Sequence, residues 1–135
     1  MMVHAFIPGT PVPQGSVSVY GGRVVGVTPK LKAWRSLVRA GTMAHHTGEP
    51  MDGPLRVAMA FQLEPPQKPR WWAPAVKPDL DKLVRAVLDS LSTTKDLAGV
   101  IRDDARVVEI VAAKAYHGTP GVVVTVTRLD APKVP

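Results

Sequence analysis

The stretch from Asp79 to Leu91 constrains this chain more than any other. Leu80, Leu83, Val84, Val87, Leu88 and Leu91 recur at intervals of three and four, which puts them on one side of an α-helix. Pro78 excludes helix before it, and Asp79 suits the N-cap. A stripe this regular requires an apolar surface to cover it, and the flanking segments read as strands that supply one.

Residues 3–8 read as a short strand ended by Pro8-Gly9, and TPVPQG after it as loop. Residues 17–27 read as a β-hairpin about Gly21-Gly22. Thr28 and Pro29 open a helix expected over 29–45, with Leu31, Trp34, Leu37, Val38 and Gly41 on its buried side. Residues 55–63 form a core strand. Residues 92–99 loop out of the second helix, 105–117 read as a long strand although their Ala, Glu and Lys also suit helix, and 122–129 form a further strand. The order β–ββ–α–β–α–β–β describes an α+β domain, a small mixed sheet with two main helices packed on it. It occupies residues 1–129, with 130–135 as a frayed tail.

The 135 residues make one domain's worth of chain, and 45% hydrophobic residues exclude a disordered or fibrous protein. A core this small gains from oligomerisation. With 17 Lys and Arg against 11 Asp and Glu, the net charge of +6 favours a polyanionic partner. The absence of cysteine excludes disulfides, thiolate metal sites and thiol nucleophiles, and fits a reducing cytoplasm. Neither a signal peptide nor a membrane-spanning run is apparent, so the expectation is a cytoplasmic protein with no membrane partner.

Two groups of cations are candidates for that partner. Lys32, Arg35 and Arg39 fall three and four apart on one face of the first helix, either as a solvated surface or as a row facing phosphates. The Pro-rich connector at 64–78 combines Lys68, Arg70, Trp71, Trp72 and Lys77. Such a loop can track a nucleic-acid backbone and stack on a base, or its Trp pair can plug the core. The four histidines show no metal spacing, and Ser16 and Ser18 lack a base partner.

The chemistry concentrates in four aspartates, Asp79 and Asp81 at the start of the second helix and Asp103 and Asp104 beyond the loop. Singly, each has an ordinary explanation as a helix cap or a turn residue. Together they differ. If the strand after 104 packs back beside the helix, the two pairs approach each other. Carboxylates about 4 Å apart repel by about 4 kcal/mol at an effective dielectric of 20, which a bound divalent cation would offset. Aspartates without Cys or nearby His suit a hard ion such as Mg²⁺, the usual partner of phosphodiester hydrolysis.

The segments KPDLDKLVRAVLDSL (77–91) and GVIRDDARVVEI (99–110) resemble the core of RusA-type Holliday-junction resolvases. That core has the pattern P-D-x-D-N-x-x-K-A-x-x-D-x-L, then a hydrophobic step and D-D-x-x-V. PGTPVPQGS and T-P-x-x-x-x-W also resemble members of the family. The resemblance implies a homodimer that binds four-way DNA junctions and makes paired nicks with Mg²⁺ or Mn²⁺. It implies Asp79, Asp81 and Asp104 as metal ligands, Asp103 as an auxiliary one, and a single RusA-like nuclease domain. Two positions depart from the pattern. Lys82 stands for the usual Asn, and Arg85 for the usual catalytic Lys. Arg85 keeps the charge and can clamp phosphate but cannot move a proton near neutral pH. It can also form an ion ladder with Asp81 and Asp89, and Lys82 can supply the cation from one turn earlier. The alternative to a nuclease is a catalytically weak, branched-DNA-binding accessory protein of the same fold.

Overall fold

The structure, a computed structural model, describes residues 1–15, 18–20, 23–25 and 27–132. The expected Gly21-Gly22 turn and the end of the tail lie outside the described residues. The strands on either side of that turn do pair: β2 (Ser18–Tyr20) runs antiparallel to β3 (Arg23–Val25).

The other four strands form one mixed sheet. β1 (Met2–Pro8), β4 (Leu55–Leu63), β5 (Val107–Tyr116) and β6 (Gly121–Arg128) lie in the order β1-β6-β4-β5. β6 is antiparallel to both its neighbours, whereas β4 and β5 are parallel. Parallel neighbours require a crossover, and α2 (Leu80–Leu91) lies within the one that joins them. The alternation of apolar and polar residues sends Val3, Ala5 and Ile7 of β1, Leu55, Val57, Met59 and Phe61 of β4, and Val122, Val124 and Val126 of β6 into the core. Leu31, Trp34 and Val38 of α1 (Pro29–Met43) and Leu83, Ala86, Val87 and Leu91 of α2 join the same cluster. The expected α+β sheet with two helices is the observed fold.

Thr28 caps α1, its Oγ1 accepting from Leu31 N at 3.1 Å. Three details differ from the sequence reading. α1 ends at Met43, two residues short of the expected end. Leu37 is 52% exposed, because Leu31, Trp34, Val38 and Thr42 define a narrower buried stripe. On α2, Ala86 and Ser90 are fully buried while Val84 and Leu88 lie at the margin. Large apolar residues dominate a hydrophobic pattern, but small ones let a helix seat closely. Gly41 marks such a contact between α1 and β1, since a Cβ there would stand 2.8 Å from Ile7 Cγ1.

β5 is an edge of the sheet, and Val108, Ile110 and Val111 on it are exposed. No helix among the described residues is long and apolar enough to cross a membrane.

Candidate active site

α2 carries the acidic positions, and backbone bonds on both sides of it set where the second acidic pair lies. Lys114 Nζ of β5 donates to Val76 O and Pro78 O at 2.7 and 2.8 Å, which anchors the chain entering the helix. At the far end the chain turns tightly. Ile101 N donates to Leu91 O at 3.1 Å, Thr93 N to Ile101 O at 2.9 Å, and Arg102 N to Met51 O at 2.9 Å. Gly99 permits this return, because a Cβ there would lie 2.3 Å from Leu91 O. The buried step Val100-Ile101 thus delivers Asp103 and Asp104 to a 3-10 turn (Asp104–Arg106) that touches α2.

The four aspartates behave differently from one another. Asp79 holds the N-cap position in extended conformation, yet its side chain caps no helix N–H. It stands 3.6 Å from Lys82 Nζ instead. Asp81 is exposed in the first turn. Asp103 does cap its turn, accepting from Ala105 N at 2.9 Å, so for this residue the ordinary turn chemistry holds. That bond, followed by one with Asp104, lowers the Asp103 pKa. Asp104 moves the other way: the hydrogen bond with Asp103, partial burial, and the charges of Asp103 and Asp89 raise its pKa. Two carboxylates side by side cannot both ionise freely, and Asp104 is the one whose ionisation is opposed.

Asp89 is the carboxylate outside the pair that acts on Asp104. It lies two helical turns beyond Asp81, and its Oδ2 accepts from Gln14 Nε2. Sequence reading did not single out Asp89 as a site residue. The signals for it were its place on the Asp81–Arg85 face of the helix and the last Asp of the D-x-D-N-x-x-K-A-x-x-D-x-L pattern, which falls on it. Arg85 forms no ion pair among the described residues, so the expected ladder is absent and its guanidinium is exposed. Arg102 and Arg106 flank the acidic turn and pair with Asp52, at 3.7 and 2.6 Å. The Arg106 hydrogen bond, with one from Gly53 N, lowers the Asp52 pKa.

An all-carboxylate donor set suits a hard divalent cation in kind. In spacing it is incomplete, because among the described residues no three His, Cys, Asp or Glu side chains stand close enough to hold a metal ion. The expected approach of Asp79 and Asp81 to Asp104 is not closed to that distance.

The expected DNA-binding cations divide into two kinds. Lys32 and Arg35 line a cleft of about 860 Å³ beside α1, together with Arg39. Arg39 spends its guanidinium on Ser92 O, Ala98 O and Asp89 O at 2.7, 2.9 and 3.2 Å, which closes the C-terminus of α2. Lys77, Asp79 and Lys82 border a second cleft of about 430 Å³ with Pro13 and Pro78. Lys68 and Arg70 are exposed on the connector, and Arg70 lies over the Trp71 ring, 5.0 Å from its centroid. Neither indole of the pair plugs the core: Trp71 is 47% and Trp72 95% exposed.

No curated protein matches the chain. A family model described as Endodeoxyribonuclease RusA matches residues 8–127. That span runs from the end of β1 to the end of β6 and contains every acidic and cationic residue described above. The chain therefore belongs to the RusA endodeoxyribonuclease family.

Proposed function

We propose that this endodeoxyribonuclease resolves four-way junctions or other branched DNA by paired, Mg²⁺-dependent phosphodiester hydrolysis, with Mn²⁺ as a substitute ion. The observation that carries the reading is the state of the acidic residues on α2 and the turn after it. Asp79 occupies a cap position without capping, and the charges of Asp103 and Asp89 oppose the ionisation of Asp104. A divalent cation bound among such carboxylates would offset their mutual repulsion.

Asp79, Asp81 and Asp104 would hold the ion, with Asp103 beside them. When bound, such an ion supplies Lewis-acid activation and charge neutralisation at the scissile phosphate. Arg85 and Lys82 present cations on the exposed side of the same helix and can bind the phosphate oxygens as negative charge develops. Arg85 does this without exchanging a proton. Lys32, Arg35, Lys68, Arg70 and Lys77 bind backbone phosphates elsewhere, and Trp71 and Trp72 offer stacking faces to bases unpaired at a branch point. Paired nicks require two sites related by symmetry, so the working form is a C2 homodimer. The exposed apolar edge of β5 supports that reading, since such an edge invites pairing with another chain.

One observation favours a second reading, a branched-DNA-binding protein that cleaves weakly: the carboxylates stand apart in the free chain. Incubation with a synthetic four-way junction in Mg²⁺ and in EDTA separates the two. Symmetric nicks in Mg²⁺ alone support the nuclease, and binding without nicks in either condition supports the accessory protein.

A further inference from the structure

The cleft of about 860 Å³ beside α1 is of a size that holds a small organic molecule. Its walls divide by chemistry. Val27, Pro29, Ala40 and Leu97 supply apolar surface, and Lys32, Arg35 and Arg39 supply cations. No described residue bordering it is acidic. Arg39 has its guanidinium committed to backbone carbonyls, whereas Lys32 and Arg35 form no ion pair among the described residues. Ser36 adds a hydroxyl that can donate or accept.

A single exposed Leu or Val calls for no explanation. Here two from separate segments border one cleft: Val27 ahead of α1, 37% exposed, and Leu97 after α2, 54% exposed. Leu97 is held in that place. Thr94 N donates to Leu97 O at 2.8 Å, and Leu97 N donates to Thr94 Oγ1 at 3.0 Å. Arg39 Nη1 fixes the next residue, donating to Ala98 O at 2.9 Å. The loop thus keeps an apolar side chain at a basic cleft.

A nucleotide matches both halves of this site. Its base offers flat apolar faces, and its phosphate offers an anion to Lys32 and Arg35. Inside a duplex the neighbouring bases cover those faces, so only a nucleotide out of the stack can present one. Branched DNA supplies such nucleotides where its strands part. The site is also separate from the acidic residues at the start of α2, because Arg39 binds the far end of that helix, whose 12 residues span about 18 Å.

We propose that this cleft binds one unpaired nucleotide of a branched DNA substrate, its base against Leu97, Val27, Pro29 and Ala40 and its phosphate on Lys32 and Arg35. This rests on the branched-DNA reading above and adds to it a preference for branch points that carry an unpaired nucleotide.

The test compares two four-way junctions in EDTA, one fully paired and one with a single unpaired 2-aminopurine nucleotide at the branch point. The wild-type protein should bind the second about tenfold more tightly, the scale of removing a base-sized apolar face from water less the cost of ordering it. The probe should brighten on binding, because it leaves the stack for an aliphatic wall. Ala40→Leu fills the cleft and Leu97→Asn removes its apolar wall. Either should bring the ratio of the two affinities to about one and abolish the brightening. Equal wild-type affinities, or a preference that survives both variants, would overturn the proposal. A probe that dims, and brightens again in Trp71→Ala or Trp72→Ala, would place the base on the connector and is equally fatal. So is a native mass that falls in Ala40→Leu, which would make the cleft an interface between copies of the chain. Should Leu97→Asn fail to fold, Ala40→Leu decides alone. A wild-type protein that binds neither junction would instead sink the branched-DNA reading itself.

Discussion

The guanidinium of Arg39 reaches from α1 across to Ser92 O at 2.7 Å and closes the C-terminal end of α2. A cation at that end of a helix also meets the negative pole of its dipole. Arg39→Met is expected to destabilise the fold by about 2–3 kcal/mol, the scale of losing a charged donor to backbone carbonyls that are left unpaired. Chemical denaturation measures the loss. A variant that melts normally but binds junctions poorly would place Arg39 with the phosphate contacts instead.

Asp104→Asn is expected to abolish cleavage and raise the melting temperature at neutral pH. The sign follows from its raised pKa. A group whose folded pKa exceeds its unfolded value stabilises the fold below the unfolded value, and that contribution is lost as pH rises through the folded one. At pH 7 the wild-type protein carries the unrelieved repulsion, and Asn removes it. Melting curves at pH 7 and pH 4 should show a gain at the first that shrinks at the second.

The same proton competes with the ion. Mg²⁺ is expected to raise the melting temperature of the wild-type protein, by about 2.7 kcal/mol of stability at a hundredfold excess over Kd. Its affinity should fall as pH drops below the raised Asp104 pKa, because binding must displace the proton. Isothermal titration in buffers of different ionisation enthalpy, at pH values descending through that pKa, detects the release. No buffer dependence at any of them would mean that Asp104 is not a ligand.

Arg85→Ala is expected to slow cleavage about 10²–10³-fold, the usual effect of removing one preorganised stabiliser of developing charge. Arg85→Lys should keep or raise the rate. Stability should hardly change in either, since Arg85 has no ion pair to lose among the described residues. Single-turnover cleavage beside a melting curve checks both, and a wild-type rate in Arg85→Ala shifts the role to Lys82.

The native mass is expected to be twice that of the chain. Ile110→Lys, on the exposed edge strand, should halve it and abolish symmetric nicking. Light scattering gives the mass. A dimer that survives this change joins through another surface.

What the sequence disclosed and what it concealed divide by range. The α2 helix, the Thr28 cap and the succession of strands and helices along the chain rest on local periodicity and turn chemistry, and each could be read in advance. The order of strands within the sheet and the tight return that brings Asp103-Asp104 to α2 could not. The phase of α2 was misjudged by one row, because Ala86 and Ser90 signal burial weakly despite packing closely. Long-range geometry was hidden. Nothing near Gln14 in the sequence points to Asp89, and nothing near Arg39 points to the end of α2. Both Asp103 and Asp79 stand at N-cap positions, yet Asp103 accepts from Ala105 N while the Asp79 side chain caps no N–H.

β6, the last strand along the chain, sits between β1 and β4 rather than at a rim. Until a ribosome has released it, the first and fourth strands have no common neighbour, and the acidic helix rests on half a sheet. Domains tend to fold as units once their full length has emerged. A DNA-cutting enzyme with this strand order becomes competent only once residues 121–128 have been made, and termination before residue 121 would release an inert fragment rather than a loose nuclease.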